Sequence, residues 1–160
     1  AATAKAALLS RASGPKTTSK PASATAAPKD TEACVAVIVP FRGRGAHLLG
    51  FYEHMAKWLK GKQAAHLCWS FYIVEQYDLG LFNRGWLFNV GMAMAGLEER
   101  YFKCTVIQDL DTLPEPGAPV DYADCPWPTG LSSEQDRYQY LPPYRDYAGG
   151  VVTARYEHWL

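Results

Sequence analysis

Three arginines and two aspartates in this chain have types and spacings that suit a phosphate site bridged by a metal ion. Arg42 and Arg44 stand two residues apart, and so do Asp109 and Asp111, so that each pair can point to one side of an extended segment. Arg84 supplies a third cation. Guanidinium groups match phosphate oxygens, whereas paired carboxylates repel phosphate unless a divalent cation lies between them. The combination predicts a nucleoside-diphosphate site with magnesium or manganese, although each group alone is also common as surface charge.

The elements that must position these residues are the strands of an α/β fold. Apolar and β-branched runs predict strands at 35–39, 68–74, 103–108 and 147–153, and helical spacing of apolar residues predicts helices at 46–60 and 85–99. Alternating strands and helices are typical of a mostly parallel sheet flanked by helices, which binds ligands beyond the carboxyl ends of its strands. The arginines and aspartates follow three successive predicted strands, so we expect them to meet at one edge of the sheet.

Composition and charge exclude several classes of protein. Of the 160 residues, 48% are hydrophobic and 13% are aromatic, which is enough for one domain with a buried core. The 16 basic and 16 acidic residues cancel, which argues against a dedicated nucleic-acid-binding protein. No apolar run approaches the roughly 18 residues that a membrane-spanning helix needs. The glycine-rich phosphate loops of P-loop and dinucleotide-binding proteins are also absent from the sequence.

Residues 1–33 differ in composition from the rest of the chain. They contain no aromatic residue and carry Pro15, Pro21 and Pro28. Such a segment buries too little apolar surface to offset the entropy of ordering, so we expect a disordered linker or stalk. Its five basic and two acidic residues leave open the alternative of a basic arm that binds nucleic acid or anionic lipid. The folded domain is predicted at residues 34–160.

Four segments of the predicted domain resemble the motifs of one enzyme family. They are VAVIVPFRGR at residues 35–44, FNRGWLFNVG at 82–91, QDLD at 108–111 and LPPYRDYAGGV at 141–151. In this order they resemble the motifs of the β-1,4-galactosyltransferase family, which is glycosyltransferase family 7. The resemblance covers nearly all of the predicted domain, and the four motifs together are highly specific.

The resemblance implies a GT-A nucleotide-sugar-binding fold, of which this chain would be the N-terminal, donor-binding half of the catalytic domain. It implies manganese-dependent transfer of galactose from UDP-galactose, with inversion, to a sugar hydroxyl of a glycan acceptor. Asp111 would bind Mn²⁺, and Tyr144, Tyr147 and Gly150 would lie beside the donor and acceptor sugars. The uridine diphosphate pocket would be lined by Pro40, Phe41, Arg42, Arg44, Phe82, Arg84 and Asp109.

One departure from the family pattern bears on activity. After the double glycine the family carries a Trp-Gly-Trp-Gly stretch, an acidic run and a metal-binding histidine, whereas this chain ends at Leu160. We therefore expect a fold truncated at its C-terminus, a catalytic base beyond Leu160, and little sugar transfer by these 160 residues alone. Two alternatives stay open: a non-catalytic module that binds nucleotide sugar or carbohydrate, and a transferase of N-acetylgalactosamine.

The resemblance also implies a disulfide bond and a cellular location. Cys104 would pair with Cys125 across the metal loop in an oxidising compartment, and reduced buried thiols are the alternative. The family would pair Cys34 with a residue upstream of the matching segments, and Cys68, within a predicted strand, is expected to be a core residue. The enzyme would be a single-pass type II membrane protein facing the Golgi lumen, held to the membrane only by an anchor that precedes Ala1.

Overall fold

The computed structural model describes residues 4–9, 34–61, 67–98 and 100–159. Six strands are present: β1 (Ala4–Leu9), β2 (Cys34–Phe41), β3 (Cys68–Gln76), β4 (Phe102–Gln108), β5 (Thr129–Gly130) and β6 (Val151–Ala154). Two α-helices, α1 (Gly45–Gly61) and α2 (Arg84–Gly96), connect β2 to β3 and β3 to β4. Short 3-10 helices cover Asp136–Tyr138 and Tyr156–Trp159. The α/β class predicted from the sequence is confirmed.

The strands form one sheet in the order β1-β3-β2-β4-β6-β5. The central strand β2 runs parallel to both β3 and β4, as the strand–helix–strand pattern predicts. β6 runs antiparallel to β4 and to β5, and β1 runs antiparallel to β3. The parallel arrangement therefore holds for the three central strands. The fourth predicted strand starts at Val151, later than predicted, and is antiparallel, since a loop without a crossover helix brings the chain back.

The two helices cover opposite faces of the sheet. Side chains of β2 point alternately to these two faces, and all of them are buried. Val37 belongs to one core cluster together with Phe51 and Met55 of α1. Its neighbour Ala36 belongs to a second cluster with Leu87 of α2. Both faces of the central strand are thus closed to water, which leaves the carboxyl ends of the strands as the place where polar side chains gather.

Two disulfide bonds lie near the amino ends of the parallel strands. Cys104 pairs with Cys125, as the family resemblance implies, with a Cα–Cα distance of 5.9 Å. The expectation for Cys34 is wrong, because Cys34 pairs with Cys68 at a Cα–Cα distance of 4.5 Å. Cys68 lies in β3 and packs against the second core cluster, in line with its expected core position. These two residues are register partners at the start of β2 and β3, so the parallel pairing of the strands brings them together. Among the described residues no cysteine is free.

Two further differences concern the edges of the predicted elements. β1 lies within the segment predicted as a disordered linker, so that prediction is wrong for residues 4–9, while residues 1–3 and 10–33 lie outside the described residues. The sequence pattern does not predict this strand because it is short and rich in alanine, a residue that is depleted in strands. Helix α2 ends at Gly96, with Leu97 as its C-cap, before the predicted end at Glu99, which itself lies outside the described residues.

Candidate functional site

The polar residues that follow the three parallel strands surround one cavity of about 280 Å³. We call it the strand-end cavity, and it is lined by Pro40, Phe41, Arg42, Arg44, Phe82, Arg84, Asp109, Leu110 and Asp111. The structure thus brings together every residue predicted to line the nucleotide pocket and the predicted metal ligand. Leu110 was not predicted, although its place between the two aspartates was the signal that could have identified it.

Each aspartate of the pair is matched with a different arginine. Arg84 Nε lies 2.6 Å from Asp109 Oδ1, and Arg44 Nη1 lies 3.5 Å from Asp111 Oδ2. The Asp109 side chain is 28% exposed and that of Asp111 is 51% exposed. Burial raises the pKa of Asp109, and the neighbouring Arg84 offsets part of that rise. Asp109 is therefore engaged within the protein, whereas Asp111 presents a loosely paired carboxylate to the cavity.

The third arginine is fixed by the loop between β3 and α2. Arg42 Nη1 donates a hydrogen bond to the carbonyl oxygen of Gly80 at 2.6 Å, and its guanidinium carbon lies 5.4 Å from the centroid of the Phe82 ring. The Gly80 amide donates in turn to Asp78 Oδ1 at 2.8 Å. The cation and the aromatic ring are therefore held side by side at the rim of the strand-end cavity.

The same loop is anchored from within the sheet by Gln76, the last residue of β3. Its side-chain nitrogen donates to Asp78 Oδ1 at 2.9 Å and to the Leu81 carbonyl at 3.0 Å, while its oxygen accepts from the Asn83 amide at 2.8 Å. Asn83 then caps α2 by accepting a hydrogen bond from the Trp86 amide at 3.0 Å. Because Gln76 is buried, the loop and the start of α2 have one defined position, and Arg84 with them.

Gly150 lies directly beside the aspartate pair. Its carbonyl oxygen accepts a hydrogen bond from the Asp109 amide at 2.7 Å. A Cβ atom at this position would stand 2.8 Å from Asp109 Oδ2 and 2.6 Å from Thr112 Oγ1. The absence of a side chain at Gly150 therefore lets the start of β6 approach the carboxylate that Arg84 holds.

The two tyrosines predicted beside the sugars do not line the strand-end cavity. The Tyr144 and Tyr147 rings contact each other edge to face, with centroids 5.2 Å apart. Gln135 Nε2 donates to the Tyr147 hydroxyl at 2.9 Å, while the Tyr144 side chain is mostly exposed. Their predicted role toward a sugar stays a prediction. The contact with Gln135 was not foreseen, because nothing in the sequence around it signals a buried amide.

The comparisons with known proteins agree with this geometry. Residues 11–123 match the family described as the N-terminal region of glycosyl transferase group 7. Over 118 residues the chain is 38% identical to beta-1,4-galactosyltransferase 6 of Rattus norvegicus and 36% identical to beta-1,4-galactosyltransferase 5 of Homo sapiens. Each match covers 73% of this chain and 29% of the relative.

The chain belongs to the β-1,4-galactosyltransferase family. A solved structure of a Drosophila β-1,4-galactosyltransferase 7 mutant, in complex with manganese, UDP-Gal and xylobiose, superposes with a TM-score of 0.64 at 27% identity. That similarity covers 79% of this chain and 50% of the Drosophila chain. The GT-A fold implied by the motifs is thereby confirmed. The chain spans less than a third of the length of the galactosyltransferases that it matches in sequence.

The donor set of this family member fits a metal ion that is shared with a diphosphate. Asp111 offers an exposed carboxylate inside a ring of three guanidinium groups, and hard cations such as Mn²⁺ take oxygen ligands from both a protein and a phosphate. No group of three or more His, Cys, Asp or Glu side chains that could hold a metal occurs in the described ranges. Phosphate oxygens of a bound diphosphate would be further ligands of the ion beside Asp111.

Proposed function

We propose that this chain is the donor-binding part of a manganese-dependent galactosyltransferase. It transfers galactose from UDP-galactose to a sugar hydroxyl of a glycan acceptor, with inversion at the anomeric carbon. The observation that carries the proposal is the strand-end cavity, where three arginines and Asp111 converge. The sequence matches to galactosyltransferases and the UDP-Gal and manganese in the Drosophila complex support the same reading.

The cationic half of the strand-end cavity serves the nucleotide diphosphate. Arg42 and Arg44 lie in the turn between β2 and α1, and Arg84 is the first residue of α2. Guanidinium groups donate hydrogen bonds to phosphate oxygens, and a positive potential stabilises the charge that develops as the sugar–phosphate bond breaks. The nearby Phe82 ring and Pro40 offer an apolar wall for the uridine. These residues bind and orient the leaving group without forming a covalent bond to it.

The acidic half of the cavity holds the metal and orders the protein around it. Mn²⁺, when bound through Asp111, supplies Lewis-acid stabilisation to the leaving diphosphate. Asp109, engaged by Arg84, orders the loop that follows β4, and it would lie near the ribose and the donor sugar, as the family resemblance implies. Because the Arg44–Asp111 ion pair is loose, at 3.5 Å, Asp111 would be able to hold the metal while Arg44 would donate to phosphate.

Inversion requires one displacement at the anomeric carbon. The acceptor oxygen forms a bond to that carbon as the bond to the phosphate oxygen breaks, and a carboxylate takes the proton of the acceptor hydroxyl. Among the residues that line the strand-end cavity the only carboxylates are Asp109 and Asp111, and both have other roles. We propose that the base comes from residues outside this chain, as the family resemblance implies, so that residues 1–160 bind donor and transfer little.

The family resemblance also supports a location in the Golgi lumen, as part of a single-pass type II membrane protein. Both disulfide bonds fit an oxidising compartment. Within the described ranges no helix has the length and hydrophobicity that crossing a membrane requires.

Calorimetric titration of the 160-residue chain with UDP, in the presence and absence of Mn²⁺, tests the proposal. We expect binding that depends on the metal and is lost in Asp111→Asn, because the substitution removes the charged oxygen ligand. Asp124→Asn is the matched control, since Asp124 is an exposed aspartate that does not line the strand-end cavity, and it should bind as the wild type does. Binding without Mn²⁺ at the same affinity, or equal effects of the two substitutions, would contradict the proposed site.

The donor sugar is tested by the same titration. UDP-galactose should bind more tightly than UDP-N-acetylgalactosamine if galactose is the transferred sugar, and the reverse order would favour the alternative drawn from the sequence. Incubation with UDP-galactose and xylobiose, followed by mass spectrometry, measures transfer directly. If residues 1–160 transferred galactose at a rate typical of enzymes, the proposal that the catalytic base lies outside this chain would be refuted.

A further inference from the structure

A fourth arginine, Arg137, lines a second cavity that also includes Asp111. This adjoining cavity, of about 610 Å³, shares Asp111 with the strand-end cavity and has Arg137 in its wall. Arg137 belongs to the 3-10 helix Asp136–Tyr138, in the long loop between β4 and β6. Arg137 is not a predicted site residue, because it stands far in the sequence from every predicted strand end. The fold nevertheless places its charge in a cavity that contains the predicted metal ligand.

The Arg137 guanidinium is held by two aromatic residues. Its Nη2 atom donates to the Tyr147 hydroxyl at 3.3 Å, and its central carbon lies 4.9 Å from the centroid of the Tyr138 ring. The same Tyr147 hydroxyl accepts from Gln135 Nε2 at 2.9 Å, and Gln135 Nε2 also donates to the Ser132 carbonyl at 2.9 Å. Because Gln135 is buried, Tyr147 is anchored to the core and Arg137 is anchored to Tyr147.

The backbone after Arg137 is strained, which indicates that its position is imposed by its surroundings. Gln139 and Tyr140 have φ values of 55° and 60°, a left-handed conformation that residues with side chains rarely adopt. Hydrogen bonds from the Tyr138 and Tyr140 amides to the Gln135 carbonyl, at 3.0 and 2.9 Å, sustain this turn. Strain of this kind is often kept where a side chain must have one position for function.

The charge of Arg137 is available to an anion. Arg44 and Arg84 are paired with the two aspartates, whereas in the described part of the chain the Arg137 guanidinium makes no ion pair with a carboxylate. The Tyr147 hydroxyl, and to a lesser degree the negative charge of Asp111, raise the pKa of Arg137. Among the described residues the guanidinium therefore shares the adjoining cavity with Asp111 without forming an ion pair with it.

We propose that Arg137 is a further donor-binding residue, which contacts the outer phosphate of the nucleotide from the adjoining cavity, and that Tyr147 positions it. This inference rests on the proposed function, since it needs a diphosphate bound at Asp111. The outer phosphate is the relevant one because the two cavities share only Asp111, the proposed metal ligand, whereas Pro40 and Phe82, proposed to face the uridine, line the strand-end cavity alone.

The test compares UDP with UMP, which lacks the outer phosphate, by titration of the 160-residue chain in the presence of Mn²⁺. Arg137→Gln should weaken UDP binding about five- to tenfold, as expected for the loss of one partly exposed cation–phosphate contact, and leave UMP binding within about twofold. Arg137→Lys should recover part of the affinity. Arg145→Gln removes the same charge from an exposed position that lines neither cavity and should change neither affinity.

The positioning role is tested by Tyr147→Phe, alone and combined with Arg137→Gln. If the Tyr147 hydroxyl acts on UDP through Arg137, the double variant should bind UDP no more weakly than Arg137→Gln alone. Equal losses for UDP and UMP, or an equal loss in Arg145→Gln, would overturn the assignment of Arg137. If the wild-type chain binds UDP with Mn²⁺ but Arg137→Gln has no effect, this inference alone fails, whereas absence of wild-type binding refutes the proposed function.

Discussion

The disulfide between Cys34 and Cys68 gives a prediction whose size follows from the structure. The bond joins residues separated by 34 positions, and closing a loop of that length in the unfolded chain corresponds to about 3.8 kcal/mol of stability. The double variant Cys34→Ala/Cys68→Ala should therefore lose about 3–4 kcal/mol in free energy of unfolding and about 10 °C in Tm. Equilibrium unfolding in urea, followed by tryptophan fluorescence, measures the loss.

UDP binding should be nearly unchanged in this variant, because the bond lies far from the strand-end cavity. Cys34 begins β2 and Phe41 ends it, and an eight-residue strand separates its ends by about 23 Å. With Mn²⁺ present and the protein kept folded, UDP affinity should remain within about twofold of the wild type. The disulfide is thus expected to support the sheet and not the site.

A matched control comes from the second disulfide. Cys104 and Cys125 are separated by 21 positions, for which the same relation gives about 3.3 kcal/mol. The double variant Cys104→Ala/Cys125→Ala should therefore be destabilised to nearly the same extent. A loss below about 1 kcal/mol for Cys34→Ala/Cys68→Ala would refute the reasoning from loop entropy. If Cys34→Ala/Cys68→Ala lost UDP binding at unchanged stability, the claim that this disulfide lies too far from the strand-end cavity to affect binding would be refuted.

Three further predictions concern close contacts and charge. Gly91→Ala should cost about 1–3 kcal/mol in urea unfolding, because a Cβ there would collide with the Ile38 side chain and push α2 off the sheet. Gly150→Ala should weaken UDP binding, since its Cβ would press on Asp109 and Thr112; unchanged affinity would show that the site tolerates this shift. Asp109→Asn tests the raised pKa of the Asp109 carboxyl. A carboxyl whose pKa is raised by folding binds its proton more tightly in the folded state, so it stabilises the fold at low pH. That stabilisation is lost as the pH rises through the pKa of the folded state. The stability of the wild type relative to Asp109→Asn, measured by urea unfolding, should therefore increase as the pH falls from 7 toward 4.

The first three predicted strands lie within β2, β3 and β4, although β2 and β3 each end two residues later than predicted. The run from Val35 to Val39 is apolar at every position, which suits a strand buried on both faces, and it forms the centre of β2. Once three such strands lie parallel, the residues just beyond them must meet at one edge. This is why Arg42 and Asp111, far apart in the sequence, line the same cavity.

Other features could not be predicted from the sequence, because they arise from contacts between distant segments that carry no recognisable sequence pattern. Strand β1 consists largely of alanine and leucine, and its pairing with β3 is visible only in the sheet. Tyr147 was expected within the fourth strand, but it lies in the loop before β6, where Gln135 and Arg137 hold its hydroxyl. No periodicity or motif in the long loop indicated these partners.

The sequence by itself determined which residue types stand at the strand ends, and its motifs identified the family, because periodicity and short motifs are local properties of the chain. The tertiary structure alone decided the partners: Cys34 with Cys68, Arg84 with Asp109, and Arg137 with Tyr147. Disulfides, ion pairs and hydrogen bonds each require atoms within a few ångströms, and only the register of the sheet and the path of its loops set those distances.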